Sequence, residues 1–424
     1  MMKPLRGWDA LSWLLLPIVL LPLLLPVGRA SELGTLLGML AGLWIAWRHW
    51  PVLARLRSLR LFALLFACYA GAALISLPDA INPGKSWETF AALWRYLPFG
   101  VYVCWVMRRA GRMDVLYLLM AALVTLWALD AWLQILTGWS LGGPAGPLRV
   151  SGVFGADNLK LGPILATLSP LVLWPLRQRW AWRGVAAGFI LLLVPVVMAG
   201  SRQAWLEFAL VGLAFAWQLG ATPTKRAGWL GAGAAVALAV MALAWYQSPG
   251  FAQRMQRSAH IFQGQETSAD WALSGRLAIW ATAVRMIEAH PVNGVGVRDF
   301  RYAYPDFARA GDQFTGREAC GPGQGACHPH QWLLEVATGS GLAGLILWFA
   351  GIGMALRAWW RAEPEARQRA WPVSLALAVC LFPLNTHLAF YSAWWGLVFW
   401  WLLALWCAAL AADSPVTEVP RGRS

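Results

Sequence analysis

Two arginines in this 424-residue chain share an unusual local setting. Arg202 follows Gly200-Ser201, Arg276 follows Ser274-Gly275, and each opens a stretch of helical character. Ser201 and Ser274 are suitable helix N-caps. A first helical turn offers free backbone N–H groups and the positive end of the helix dipole, a setting that favours an anion. A guanidinium added there matches phosphate oxygens with its planar fork. Taken singly, Arg202 reads as well as an interfacial arginine snorkelling to lipid headgroups, and Arg276 as a solvated helix residue. The repeated Ser/Gly-Arg setting raises a diphosphate receptor to equal standing.

A third polar group is Cys327-His328-Pro329-His330-Gln331, directly before an apolar run that contains Glu335. Histidine titrates near ~6.5 and is the commonest general acid–base side chain. From the residues alone, His328 and His330 are equal candidates, and either could instead be a structural histidine on a backbone carbonyl. Cys320 and Cys327 bracket Gly-Pro-Gly-Gln-Gly-Ala. In an oxidising compartment a disulfide is the expected outcome, and a zinc site of Cys320, Cys327, His328 and His330 is the rival. The fourth group is the Gly-rich turn Arg149-Val-Ser-Gly152-Val-Phe-Gly155-Ala-Asp157-Asn158-Leu-Lys160. Arg149 and Lys160 add two further cations to it. Asp130, Glu207 and Glu335 fall in apolar blocks, where an ionisable side chain is a functional-site hypothesis by default. Glu207 lies five residues after Arg202 and Glu335 five after His330, a spacing that permits loose orientation of each. No Asp-x-Asp pair and no P-loop occur, so neither the usual divalent-metal clamp on a sugar diphosphate nor a nucleotide-binding loop is visible. No cofactor is expected.

The elements that must hold these groups are membrane helices. The chain is 59% apolar and 13% charged, about half of the ~25% charged content usual for a soluble domain. Apolar blocks long enough to span a bilayer run near 12–28, 32–47, 60–77, 90–107, 115–136, 159–176, 184–199, 203–219, 228–246, 331–356, 372–390 and 391–412. The expected fold is therefore all-α and polytopic, with about twelve transmembrane helices and one large helical loop between the ninth and tenth. Its parts are 1–246 with helices one to nine, the loop 247–330, 331–412 with the last three helices, and a tail 413–424. No cleavable signal peptide is evident, and the first block reads as a retained helix.

The net charge of +14 would suit nucleic-acid binding, but its placement argues otherwise. Thirty of the 34 basic residues are arginine, and most flank apolar blocks, as do many of the 30 tryptophans. Twenty basic residues fall in alternate segments that hold both termini, six in the short connections opposite, and eight in the nearly neutral large loop. The positive-inside rule then puts both termini in the cytoplasm and the loop outside. All four polar groups share that outer side.

With these residues laid out, the chain resembles the O-antigen ligase and polymerase superfamily of bacterial envelope glycosyltransferases. Arg149-Val-Ser-Gly-Val-Phe-Gly-Ala-Asp-Asn158 is similar to the family's Arg-x-x-Gly-x-Phe-x-x-x-Asn turn. Gly200-Ser201-Arg202 is similar to its Ser-Arg at a periplasmic helix start. Ser274-Gly275-Arg276 to Trp280, then His290-Pro-Val-Asn-Gly294-Val-Gly296 and Phe300, resembles the opening and exit of its loop helix. His330-Gln331-Trp-Leu-Leu-Glu335 to Gly341 and Gly344 resembles its His-Asn-x-x-Leu…Gly-x-x-Gly segment, with Gln331 at the usual Asn. The alignment selects His330 over His328. The resemblance covers roughly residues 145–360.

The resemblance implies a metal-independent, inverting transferase in the bacterial inner membrane, with its active site facing the periplasm. The implied donor is undecaprenyl-diphosphate-linked O-antigen and the acceptor the lipid A-core; no nucleic-acid partner is implied. His330 would be the general base, Arg202 and Arg276 the diphosphate ligands, with Arg149, Lys160 and Asn158 as further substrate contacts and His328, Glu207 and Glu335 as support. An O-antigen polymerase, sharing the donor, is the nearest alternative. A protein-directed oligosaccharyltransferase is a second, and the short stretch after the last block mildly favours a lipid acceptor instead. A transporter ranks lower, because transporters gather polar groups near the midplane and these gather at one surface.

Overall fold

The computed structural model describes residues 13–411 apart from 147, 148, 157, 260–269, 272, 316–319, 387, 388 and 390. Lys3, Arg6, Asp157, His260, His387 and the tail 413–424 lie outside the described residues. The chain is an all-α, multi-pass membrane protein. Its helices are α1 (Leu16–Leu23), α2 (Glu32–Leu53), α3 (Arg57–Ile75), α4 (Pro83–Leu93), α5 (Tyr96–Met107), α6 (Arg112–Thr137), α7 (Leu161–Met198), α8 (Arg202–Leu219) and α9 (Pro223–Gln247). A loop region carries α10 (Pro249–Ala259), α11 (Arg276–Ala289) and α12 (Phe300–Phe307), and the bundle closes with α13 (Trp332–Arg361), α14 (Pro364–Cys380) and α15 (Ala393–Leu410). A two-stranded hairpin, β1 (Trp139–Ser140) and β2 (Gly143–Pro144), follows α6.

Among the described residues, seven helical segments are long and apolar enough to cross a membrane. Large apolar side chains such as Trp47, Leu136, Trp217, Ile346 and Trp360 stay exposed, as a lipid-facing surface requires. The centre is α15, whose apolar window is 89% buried, whereas that of α9 is only 6% buried at the periphery. Two expected blocks differ in extent. Blocks 159–176 and 184–199 are joined as α7, broken only at Trp180 and Ala181, where φ/ψ leave the helical region. The block expected over 372–390 ends as a helix at Cys380. Pro383 disfavours helical geometry at the residue before it, and residues 381–386 instead run irregularly.

A second irregularity fixes the loop. Helix α13 is interrupted at Gly341, which sits at φ +62°. A regular helix would pair Leu342 N with Thr338 O and Ala343 N with Gly339 O. Here the segment 291–296 inserts between them. Leu342 N donates to Pro291 O (2.8 Å) and Ala343 N to Val292 O (3.0 Å). Val295 N donates to Thr338 O (2.8 Å) and Gly296 N to Gly339 O (3.1 Å). All four freed groups are thus paired again, as buried backbone must be. The same segment is tied to the start of α4, since Ile81 N donates to Val295 O and Asn82 N to the buried Asp299 carboxylate. Burial pushes that carboxyl up to about 6.

A Cβ at Gly341 would lie 2.5 Å from Asn293 N in a backbone conformation that L residues avoid. Gly341→Ala is expected to cost about 1–3 kcal/mol from backbone strain, beyond the clash. Thermal unfolding in detergent checks this; a midpoint equal to that of the parent chain would contradict the docking described.

Candidate active site

The site begins at the Gly-rich turn after α6. Gln134 Oε1 accepts from Ser151 N and Gly152 N, each at 2.8 Å, and Asp130 Oδ1 accepts from Leu141 N. Gly152 needs its φ of +51°, and Phe154 packs its ring against Trp127. Val150 N then donates to Met198 O (3.1 Å), which pins the Arg149 turn to the end of α7, directly before Gly200-Ser201-Arg202.

Arg202 links three segments. Its Nη1 donates to Ser258 Oγ of α10 at 3.0 Å, and its Nη2 reaches Ser274 Oγ, ahead of α11, at 3.4 Å. The two Ser/Gly-Arg groups, 74 positions apart in sequence, therefore meet through Ser274. Neither serine caps as expected. Ser201 holds the N-cap position of α8 without a side-chain cap bond. In α11 the N-cap is Gly275 at φ +77°, and Ser274 itself sits at φ +63°. The first-turn amides of α11 are not left for an anion, because the Asp270 carboxylate accepts from Leu277 N (2.8 Å) and Ala278 N (3.3 Å). Anion affinity at this helix must come from the Arg276 guanidinium.

Among the described residues, the ion pairs are Lys85–Glu88 and Arg95–Glu32, both away from this cluster. Arg276 is held down to about 10, first by burial and then by the charges of Arg202 and Arg257. It remains a cation at neutral pH. An anion that bound beside Arg276 would also meet the charges of Arg202 and Arg257.

Trp280, one turn after Arg276, donates from Nε1 to Pro329 O (2.9 Å) and so brings α11 against the His330 segment. His330 occupies φ +55°, a conformation rare outside glycine. Its Nδ1 lies 2.8 Å from Thr386 O. A carbonyl only accepts, so Nδ1 carries the hydrogen and Nε2 presents its lone pair. Burial foremost, and Arg276 in addition, lower the proton affinity of the ring, against the Thr386 bond that raises it. The ring is therefore neutral at pH 7 and able to accept a proton. His328 lies beside it, with ring centroids 4.0 Å apart. Gln331 is the N-cap of α13, its side-chain oxygen accepting from Leu334 N (2.6 Å). Cys320 and Cys327 are joined as a disulfide with a Cα–Cα distance of 5.2 Å, so their sulfurs bind each other. Among the described residues, no three His, Cys, Asp or Glu side chains converge as a ligand set.

The Thr386 carbonyl is positioned from α8. Gln203, next to Arg202, accepts from Thr386 Oγ1 (3.0 Å) and donates from Nε2 to Asn385 Oδ1 (2.9 Å) and Glu207 Oε1 (3.1 Å). Asn385 in turn donates to Cys380 O (2.9 Å). Glu207 thus supports Gln203, where the sequence spacing had suggested Arg202. Glu335 accepts from Tyr391 N at 3.4 Å, where orientation of His330 had been expected. Two expected substrate contacts are engaged elsewhere. Asn158 closes its own turn, accepting from Lys160 N and donating to Phe154 O, and Lys160 Nζ lies over the Trp394 ring at 4.7 Å.

Gln203, Asn385 and Thr386 were not singled out from sequence, nor were Arg254, Arg257 and Ser258 of α10. Gln203 is a polar residue in the first turn of an apolar helix, a signal that was present. Asn385-Thr386 lay inside a presumed span. Alongside the site, a crevice of about 460 Å³ runs along α13 from Trp332 to Trp359, lined by aromatic and aliphatic side chains such as Trp348, Phe399 and Trp400.

Residues 187–349 match the family model described as O-antigen ligase, a stretch that includes Arg202, Arg276 and His330 and less than half of the chain. No curated protein matches.

The lowered proton affinity of His330 gives a titration to measure. In histidine-labelled protein, its ring is expected to titrate below 6.5, and Arg276→Gln is expected to move that value upward, because a positive neighbour is removed. A ring titrating above 6.5 and indifferent to Arg276 would contradict the arrangement.

Proposed function

We propose, from the match of segment 187–349 to the O-antigen ligase family model, an enzyme of that superfamily that transfers O-antigen polysaccharide from undecaprenyl diphosphate to the lipid A-core, at the periplasmic face of the inner membrane. The observation that carries this reading is a neutral His330, its Nδ1 hydrogen-bonded to Thr386 O and its ring under the charge of Arg276, with Arg202 reaching Ser274 two residues before that arginine.

In the proposed reaction an acceptor sugar hydroxyl approaches His330 Nε2. The ring takes the hydroxyl proton as the oxygen forms its bond to the anomeric carbon of the donor. The bond from that carbon to the phosphate oxygen breaks from the opposite face, which inverts the anomeric centre. The electron pair leaves on the diphosphate, where the Arg202 and Arg276 guanidiniums stabilise it. Fixed charges aimed at developing charge are the largest catalytic term in many enzymes. They also supply what a divalent metal supplies elsewhere, in keeping with the lack of an Asp-x-Asp pair. The crevice from Trp332 to Trp359 supports a lipid-linked substrate, since a polyprenyl chain needs an apolar path close to the site. With both termini cytoplasmic, the loop segments meet donor and acceptor on the outer face.

Purified lipid substrates test the scheme. His330→Ala is expected to lower turnover about 10²–10⁴-fold, and Arg202→Ala or Arg276→Ala about 10²–10³-fold each, all with folded protein. EDTA is expected to leave the wild-type rate unchanged. Loss of activity in EDTA that zinc or magnesium restores would sink the metal-free scheme. Near-normal turnover of His330→Ala would move the base to His328 or elsewhere. Gene deletion separates the acceptors: a ligase mutant keeps lipid-linked polymer and leaves cores bare, whereas a polymerase mutant leaves cores with single repeats.

A further inference from the structure

Arg254 of α10 lies apart from the Arg202–Arg276 pair and has an environment that those two do not explain. Its guanidinium rests against the turn between α7 and α8. A Cβ on Gly200, which sits at φ +69°, would come within 2.6 Å of Arg254 Nη2 and 2.7 Å of Nε. Only glycine leaves room for the flat face of the guanidinium there. Arg254 Nε and Nη2 are buried and have no hydrogen-bond partner among the described residues. A buried charged donor left unmatched is costly. Arg149, in the Gly-rich turn, is the charge that acts on Arg254, and with burial as the larger cause it brings the guanidinium down to about 10. Arg254 therefore lies under the charge of a second cation and holds two N–H groups in reserve.

Arg254 adjoins the Arg202–Arg276 pair. Ser258 Oγ accepts from Arg202 Nη1 (3.0 Å) and donates to Arg254 O (2.8 Å), one turn along the same helix. Gly200 precedes Arg202 by two residues. An anion with a single phosphate bound at Arg202 and Arg276 would leave Arg254 Nε and Nη2 unused. We propose that Arg254, laid flat on Gly200, forms a second phosphate subsite beside Arg202 and Arg276, so that the site selects a diphosphate over a monophosphate. The inference rests on the diphosphate reading of the site. Arg254 acts here as a specificity residue: it holds the second phosphate of the donor and, after transfer, of the polyprenyl diphosphate product.

The test uses the full-length protein in detergent, with inorganic pyrophosphate and inorganic phosphate as probes and intrinsic tryptophan fluorescence and thermal midpoint as readouts. The wild type is expected to bind pyrophosphate about tenfold or more tightly than phosphate, the gain from added charge-assisted hydrogen bonds. Arg254→Gln is expected to bring that preference to within about twofold while leaving phosphate affinity little changed. Gly200→Ala, which keeps the arginine and displaces its guanidinium, is expected to do the same. Arg202→Gln is expected to weaken both probes. A wild type that binds neither probe would overturn the diphosphate reading together with the subsite. A wild-type preference that survives in both Arg254→Gln and Gly200→Ala would overturn the subsite alone.

Discussion

The constraint on which the site depends is the hydrogen-bond chain from Gln203 to His330. A general base must present one particular ring nitrogen, and the other nitrogen's partner decides which. Here that partner is the Thr386 carbonyl, on an irregular segment between α14 and α15. Such a segment is a poor anchor unless something holds it, and Gln203 does so with both ends of its amide, to Thr386 Oγ1 and Asn385 Oδ1. Because Gln203 follows Arg202, the same helical turn carries the proposed phosphate-binding charge and the bond that holds Thr386 beneath His330. Glu207 and the Cys380 carbonyl complete the amide pairing. A buried polar network of this kind is specific in geometry only while all its members are satisfied.

The loop bearing Arg276 is fixed to the bundle by a different device. Interrupting α13 at Gly341 frees two donors and two acceptors, and the backbone of residues 291–296 takes up all four. The loop is therefore held by main-chain bonds that no side-chain substitution can remove directly, and sequence enters through the glycines that allow the approach. Gly294 and Gly341 both sit at positive φ with backbone atoms where a Cβ would lie. Docking of the loop, together with the Trp280–Pro329 bond, holds α11 against the His330 segment, the fixed geometry that the proposed electrostatic catalysis requires.

Sequence showed the architecture better than the wiring. Apolar blocks and the arginine bias were enough to predict a helical multi-pass protein, because both follow from the cost of exposing polar groups to lipid. The Ser/Gly-Arg repeat pointed to Arg202 and Arg276, which the fold joins through Ser274. The expected caps at Ser201 and Ser274 did not form; at α11 the Asp270 carboxylate, seven and eight positions from its targets, occupies the amides instead. Local spacing also misread Glu207 and Glu335. Their partners, Gln203 and Tyr391, depend on a helix that stops at Cys380, and hydropathy reads straight through that stop. Arg254 escaped because one arginine among eight in a nearly neutral loop has no signature until Gly200 is seen beneath it.

If the base and the arginine helix work as one unit, removing either half of the connection should cost much the same as removing both. A double-mutant cycle of Gln203→Met and His330→Ala, read as turnover in the purified ligation reaction, measures this directly. The account predicts that Gln203→Met alone slows transfer by about 10²-fold, and that it adds little once His330 is alanine. Losses that multiply, with Gln203→Met slowing the His330→Ala protein as much as it slows the wild type, would contradict it.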